Sequence, residues 1–171
     1  MRLFLLIIRR FNSSCSFIIS KILVVLTIAM LLSINLQVLS RLVRFNVIWT
    51  SDVAIFSFVW TAFLGAALAV TANEHFIVDI FPKKIMTPLF DITLSLLALT
   101  LQFITGFVLL RYGIRFTESM SIRFSFSLGI KMSYISCVLP VSGFLIITGS
   151  LERLLSLKEL IGSSKKEMLH E

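Results

Sequence analysis

The sequence predicts an all-α membrane protein with four transmembrane helices and short interfacial segments. The chain of 171 residues is 57% hydrophobic, has a mean hydropathy of +0.99, and is only 15% charged, whereas about a quarter of the residues in soluble domains are charged. Four stretches of 19 to 21 residues contain no Asp, Glu, Lys or Arg, namely 22–40, 53–73, 92–110 and 132–151. A helix needs roughly 20 residues, at about 1.5 Å each, to cross the hydrocarbon layer.

The N-terminal stretch MRLFLLIIRR has only six consecutive apolar residues before Arg9 and Arg10. The longer apolar run that follows lacks an A-x-A-like cleavage site, so we expect it to be retained as a helix rather than removed as a signal peptide. We predict an interfacial segment at 1–16 and a first transmembrane helix at 17–39. A connector with basic residues follows.

The second transmembrane helix is predicted at 52–73, with Asp52 at its start and Trp60 within it. Ala62, Gly65, Ala66 and Ala69 have the small-xxx-small spacing that favours close helix contact in lipid.

The third transmembrane helix is predicted at 87–111. Thr87 is a suitable N-cap, and Pro88 suits the first helical position, where its missing N–H costs nothing. Asp91 then lies near the positive end of the helix dipole. We therefore favour an end-of-helix acid over an ion ligand for Asp91.

The connector at 111–131 contains SMSIRFSFSL, in which apolar and polar residues alternate strictly. A period of two predicts an extended segment with one apolar face. Its backbone amides would be unpaired in lipid, so the segment must lie at the interface or pack against protein. We interpret it as a docking segment. The fourth helix is predicted at 130–151, with a kink at Pro140 near its middle.

Basic residues predict the orientation. With the N-terminus inside, ten Lys and Arg lie on the cytoplasmic side and six on the other side. The bias favours two cytoplasmic termini, with residues 153–171 as a cytoplasmic tail. The net charge of +7 is explained by basic residues at helix ends, where anionic headgroups lie, and we expect membrane lipids rather than nucleic acid as partners.

The residues offer little for catalysis or for solute binding inside the membrane. Asn35, Gln37 and Gln102 are the main strongly polar side chains in the apolar runs, and we interpret them as interhelical hydrogen bonders. Glu74, His75 and Asp79 form one polar cluster after the second apolar run, which fits a proton relay, half of a metal site or a polar turn. We favour a turn whose acids pair with Lys83 or Lys84. We expect no cofactor, no metal and no enzymatic activity.

Three stretches carry a resemblance to a known family: WTSDVAIFSFVWTAFLGAALA at 49–69, EHFIVDIF at 74–81 and SFSLGIKMSYISCVLPVSGFLI at 125–146. They resemble the small membrane subunit, DctQ, of the tripartite ATP-independent periplasmic (TRAP) transporters. The similarity covers residues 24–153. The stretch 49–69 resembles the family's second helix, although the family usually has Glu where Asp52 stands, and an arginine that often follows is missing. The stretch 74–81 resembles a His-Ile-x-Val-Asp motif, and 125–146 resembles the last segment. The matching residues are Asp52, Trp60, Phe63, Leu64, Gly65, His75, Ile77, Val78, Asp79, Ser127, Leu128, Gly129, Tyr134, Leu139, Pro140 and Gly143.

The resemblance implies an accessory role. A large membrane subunit, expected in a 1:1 heterodimer with this chain, would hold the solute and sodium sites. A periplasmic binding protein would deliver an organic acid of the sialic acid or C4-dicarboxylate type. The small subunit would act as a scaffold in the bacterial inner membrane and help to dock the binding protein. Structural or interface candidates are Asp52, Trp60, Gly65, His75, Asp79, Ser127, Leu128 and Pro140, and docking candidates are Arg115 and Arg123.

Two other interpretations stay open at this stage. A membrane anchor of a redox or other enzyme complex would need cofactor ligands within the helices. A free-standing small transporter or channel would need polar residues along a path through the membrane, and self-association.

Overall fold

The computed structural model describes residues 2–43, 45, 47–71 and 88–167. The predicted fold class is confirmed, because four helices are long and apolar enough to cross a membrane. In chain order the helices are α1 (Arg2–Leu42), α2 (Trp49–Thr71), α3 (Pro88–Ser119), the single-turn α4 (Ser133–Ser136) and α5 (Val138–Glu167), with a 3-10 turn at Met120–Ile122 after α3.

Helix α1 is continuous from Arg2 to Leu42, so most of the segment predicted at 1–16 belongs to the same helix as the first apolar run. No Gly or Pro occurs in this range, and nothing in the sequence therefore interrupts the backbone hydrogen bonding. At about 1.5 Å per residue, its 41 residues extend for about 62 Å, twice the thickness of the hydrocarbon layer.

Helix α3 also continues beyond its apolar run, to Ser119 rather than to Arg111. Charged residues end a stretch that can lie in lipid, but they do not end a helix. Arg111, Arg115 and Glu118 are all exposed on this last part of α3. The connector after α3 is therefore shorter than the predicted 111–131 segment.

The predicted fourth helix is divided at Cys137 into α4 and α5, and Pro140 lies in the first turn of α5 rather than near the middle of a helix. Proline donates no backbone hydrogen bond and its ring crowds the preceding turn, which accounts for a break just before it. In the first turn of a helix the missing N–H costs little.

The long helices pack in the order α1, α2, α5, α3, with a smaller contact between α1 and α5. The apolar window of α5 is 50% buried, whereas those of α1, α2 and α3 are 11%, 17% and 11% buried. The core therefore surrounds α5. Its buried apolar residues are Ile19, Leu64, Ala67, Val138, Leu145 and Ile146.

Glycines allow α3 and α5 to approach closely. A Cβ atom at Gly143 would lie 2.6 Å from the backbone nitrogen of Leu110, and one at Gly113 would lie 2.9 Å from the nitrogen of Pro140. Both distances are too short for a larger residue unless a backbone moves. Small residues at helix crossings are the usual means of helix association in membranes, where helix backbones can then approach closely.

Candidate assembly and docking site

Asp52 joins the start of α2 to the loop between α3 and α4, which we call the α3–α4 loop (residues 120–132). Its Oδ2 atom accepts hydrogen bonds from the hydroxyl groups of Ser125 and Ser127, and from the backbone N–H of Ser127 at 3.3 Å. Ser125 is only 3% exposed. Asp52 also lies in the first turn of α2, where the helix dipole stabilises a carboxylate. The Asp52 carboxylate therefore holds the α3–α4 loop against the start of α2.

The α3–α4 loop folds back on itself. Phe124 and Lys131 form an antiparallel bridge, closed by hydrogen bonds from Ser125 N to Ile130 O at 2.8 Å and from Met132 N to Arg123 O at 2.9 Å. Gly129 completes the turn with φ +64°, a conformation that costs side-chain-bearing residues about 1–2 kcal/mol. Arg123 is extended, as its alternating sequence predicts, whereas Met120–Ile122 is a 3-10 turn.

Leu128 lies in this turn, and its backbone N–H donates to the Ser125 hydroxyl at 3.4 Å. The structure therefore brings together three of the candidates, Asp52, Ser127 and Leu128. Arg115 and Arg123 lie at the same end of the molecule, on the last part of α3 and on the loop, and both are exposed.

Four small residues of α2, Ala62, Gly65, Ala66 and Ala69, lie on the side away from the core in the described part of the chain. A Cβ atom added at Gly65 would meet nothing within 4 Å, and Ala62, Ala66 and Ala69 are exposed. The opposite side of α2, with Leu64 and Ala67, enters the core. The close contact predicted for Gly65 is therefore absent within the described part of the chain. We call Ala62, Gly65, Ala66 and Ala69 the open face of α2.

Two further candidates support the packing. Trp60 is partly buried against the core cluster. Pro140 contacts α3 at Gly113. His75 and Asp79, together with Glu74, Lys83 and Lys84, lie outside the described residues, so the predicted polar turn stays a prediction.

The interpretation of Asn35 as an interhelical hydrogen bonder is wrong: its side chain is exposed, and its amide donates to the Leu31 carbonyl in its own helix at 2.7 Å. Hydroxyl groups in the membrane spans also donate to carbonyl groups of their own helix, including those of Thr27, Thr100 and Ser142. A polar group that is paired within its own helix can face lipid without an unsatisfied donor.

Sequence reasoning missed a polar contact at the other end of the bundle. Asn12 on α1 is 3% exposed, and its amide donates to the Glu152 carboxylate at 2.6 Å and to the Thr148 carbonyl at 3.2 Å. The contact borders a cleft of about 450 Å³ that Arg9, Ser16 and Thr71 also line. The only signal in the sequence was an amide and an acid near the ends of apolar runs.

Among the side chains that the structure describes, no group of three or more His, Cys, Asp or Glu is placed to hold a metal ion. Cys15 and Cys137 are free thiols. The candidate site therefore consists of contacts between helices and loops and of exposed surfaces.

A family model described as the DctQ component of tripartite ATP-independent periplasmic transporters matches residues 30–159, well over half of the chain. The chain belongs to this family. No curated protein matched the sequence. As a DctQ component, it is a small subunit of a TRAP transporter, a multi-pass membrane protein, and a part of an assembly with other TRAP components.

Proposed function

We propose that this DctQ component braces a large, solute-carrying membrane subunit in a 1:1 complex and does not itself carry solute. The solute is an organic acid of the sialic acid or C4-dicarboxylate type, and the coupling ion is sodium, bound by the large subunit. The complex lies in the bacterial inner membrane, with both termini of this chain in the cytoplasm and the α3–α4 loop on the periplasmic side.

The observation that carries the proposal is the open face of α2. Four other helical glycines, Gly106, Gly113, Gly143 and Gly149, each leave less than 3 Å between an added Cβ atom and a neighbouring element. Gly65 alone among these helical positions faces open space. A helix of another subunit could approach α2 here as closely as α5 approaches α3, because small side chains allow close backbone contact.

The low burial of the outer helices points the same way. Only 11% of the apolar window of α1 and 17% of that of α2 are buried. A chain that packs so little of its helix surface against itself has area available for a larger membrane partner. The same property disfavours a free-standing channel, for which four helices would have to enclose a path.

Gly65→Leu tests this interface. A Cβ atom at position 65 meets nothing within 4 Å in the described part of this chain, so the fold of the subunit should be kept. The large subunit should be lost on co-purification through a tag on this chain. Thr105→Leu is the matched control, since Thr105 is exposed on α3 and its hydroxyl bonds only to its own helix. The α2 interface would be refuted if Gly65→Leu retained the partner as fully as the unaltered chain.

Arg115 and Arg123 are proposed to help dock the periplasmic binding protein. Both are exposed at the end of the molecule that holds the α3–α4 loop, and exposed charges chiefly steer association. Reversal of both to Glu should weaken binding of the binding protein to the complex, and replacement of both by Gln should weaken it less. The difference should shrink as salt is raised, because exposed charges are screened over about 10 Å at 0.1 M.

The control for the docking experiment is the yield of the complex with the large subunit, which these exposed arginines should not change. Equal affinity of the Glu, Gln and unaltered complexes at low salt would show that the two arginines take no part in docking. A loss that is the same at low and high salt would also count against an electrostatic role.

A further inference from the structure

The α3–α4 loop has the opposite polarity from a loop that is surrounded by water. Ser125 and Ser127 point inward and bond to Asp52, and Ser125 is only 3% exposed. Three of its large apolar side chains point outward: Phe126 is 98% exposed, Ile122 82% and Phe124 60%. A segment in water would bury the phenylalanines and expose the serines. The alternating sequence thus presents an apolar outer side.

The length of α2 indicates the depth of this loop. Its 23 residues extend for about 35 Å at 1.5 Å each, close to the roughly 30 Å of the hydrocarbon layer. The first turn of α2, with Trp49 and Asp52, therefore lies at one boundary of that layer, where tryptophan is typically found. The hydrogen bonds from Ser125 and Ser127 to Asp52 hold the loop at this same depth.

The bridge between Phe124 and Lys131 adds a positive charge to the apolar side. Residues paired across an antiparallel bridge lie on the same face. A lysine beside a phenylalanine at this depth can lay its methylene chain along apolar groups and place its ammonium group among lipid phosphates. Arg123 precedes Phe124 in extended backbone and so lies on the other face.

We propose that the apolar side of the α3–α4 loop is a lipid-binding surface that lies in the boundary between headgroups and acyl chains, with Lys131 at the phosphates. The occupant is phospholipid and not another protein, because the surface combines interfacial depth, outward phenylalanines and a cation on the same face. The loop then acts as an interfacial anchor, fixed to α2 through Asp52, and leaves Arg123 on the side away from the lipid.

The surface can be tested with single cysteines in a Cys15→Ser, Cys137→Ser background. Phe126→Cys is labelled with an environment-sensitive fluorophore, in the full chain with its co-purified partner in phospholipid nanodiscs. Arg123→Cys is the matched control, in the same loop but on the other face. Phe126 is almost fully exposed in this chain, so its replacement removes no packing contact. Quenching is measured with lipids brominated near the headgroup and with aqueous iodide.

The proposal predicts that the label at position 126 has blue-shifted emission and is quenched more strongly by brominated lipid than by iodide, with the reverse order at position 123. Stronger quenching by iodide at position 126 would mean that the loop is in water and would overturn the proposal. Shielding of position 126 from both quenchers would identify a protein as the occupant and would overturn it equally, as would identical lipid quenching at the two positions.

Discussion

At the scale of single residues, Asp52 joins two elements that are far apart in the sequence. Its carboxylate accepts hydrogen bonds from the hydroxyl groups of Ser125 and Ser127, which lie 73 and 75 positions away in the sequence. It is both a first-turn acid of α2 and the acceptor that fixes the α3–α4 loop. Loss of its carboxylate removes charged hydrogen bonds, each worth about 1.5–3 kcal/mol.

Replacement of Asp52 by Ala should release the α3–α4 loop while the four long helices remain. Deuterium uptake by loop amides, including those of Ser125 and Ser127, should rise, because the turn loses its attachment to α2. Ser121→Ala is the control, since the Ser121 hydroxyl donates to the carbonyl of Glu118, three residues earlier, and not to Asp52. Unchanged protection of the loop in Asp52→Ala would show that the bridge and turn hold it without the carboxylate.

Asn12 gives a second prediction at this scale. Asn12→Asp places a carboxylate where the amide now donates to Glu152 at 2.6 Å, so attraction becomes repulsion. The midpoint of thermal unfolding in detergent should fall, and should recover in part when Glu152 is replaced by Gln in the same chain. Ser13→Asp is the control, because Ser13 neighbours Asn12 but is exposed. An additive result, with no recovery in the double variant, would show that the two side chains are not coupled.

At the scale of elements, glycines occur on two kinds of helix surface: one packed against another helix of this chain and one facing outward. Gly143 lies where α5 meets α3, and its missing side chain permits the contact, whereas Gly65 faces outward from α2. The same residue type thus has two structural settings. The sequence alone did not distinguish them, since the spacing of small residues shows that a helix can be approached closely but not which neighbour approaches it.

Gly143→Ala should therefore destabilise the subunit, by about 1–3 kcal/mol as is typical of overpacked cores. The added Cβ atom would lie 2.6 Å from the Leu110 backbone nitrogen, and a backbone cannot give way as a flexible side chain does. Gly65→Ala is the matched control and should not lower the thermal unfolding midpoint of the isolated subunit, because the added methyl group has open space and Ala favours a helix more than Gly does. Equal midpoints for the two variants would show that α3 and α5 can separate at little cost.

At the scale of the whole molecule, the sequence was sufficient to predict the four membrane-spanning helices and the family. Charge-free stretches of 19 to 21 residues locate helices in a bilayer because charges are excluded from it. The ends of the helices were less predictable. Helices α1 and α3 continue beyond their apolar runs, since membrane burial and helix formation depend on different properties of the residues.

The candidate site was predictable only in part. The resemblance singled out Asp52, Ser127 and Leu128, but their proximity depends on how α2 packs beside α5 and on the turn at Gly129. The contact between Asn12 and Glu152 was missed because it joins residues 140 positions apart and matches no motif. Partners of this kind are set by tertiary packing, which periodicity does not report.

The central claim is that this chain supports a larger carrier and moves no solute alone. It is tested most directly by uptake of a labelled organic acid into proteoliposomes with an inward sodium gradient and the periplasmic binding protein outside. We expect accumulation when this chain and its large partner are both present, and none when this chain is reconstituted alone. Accumulation against the gradient by this chain alone would contradict the account.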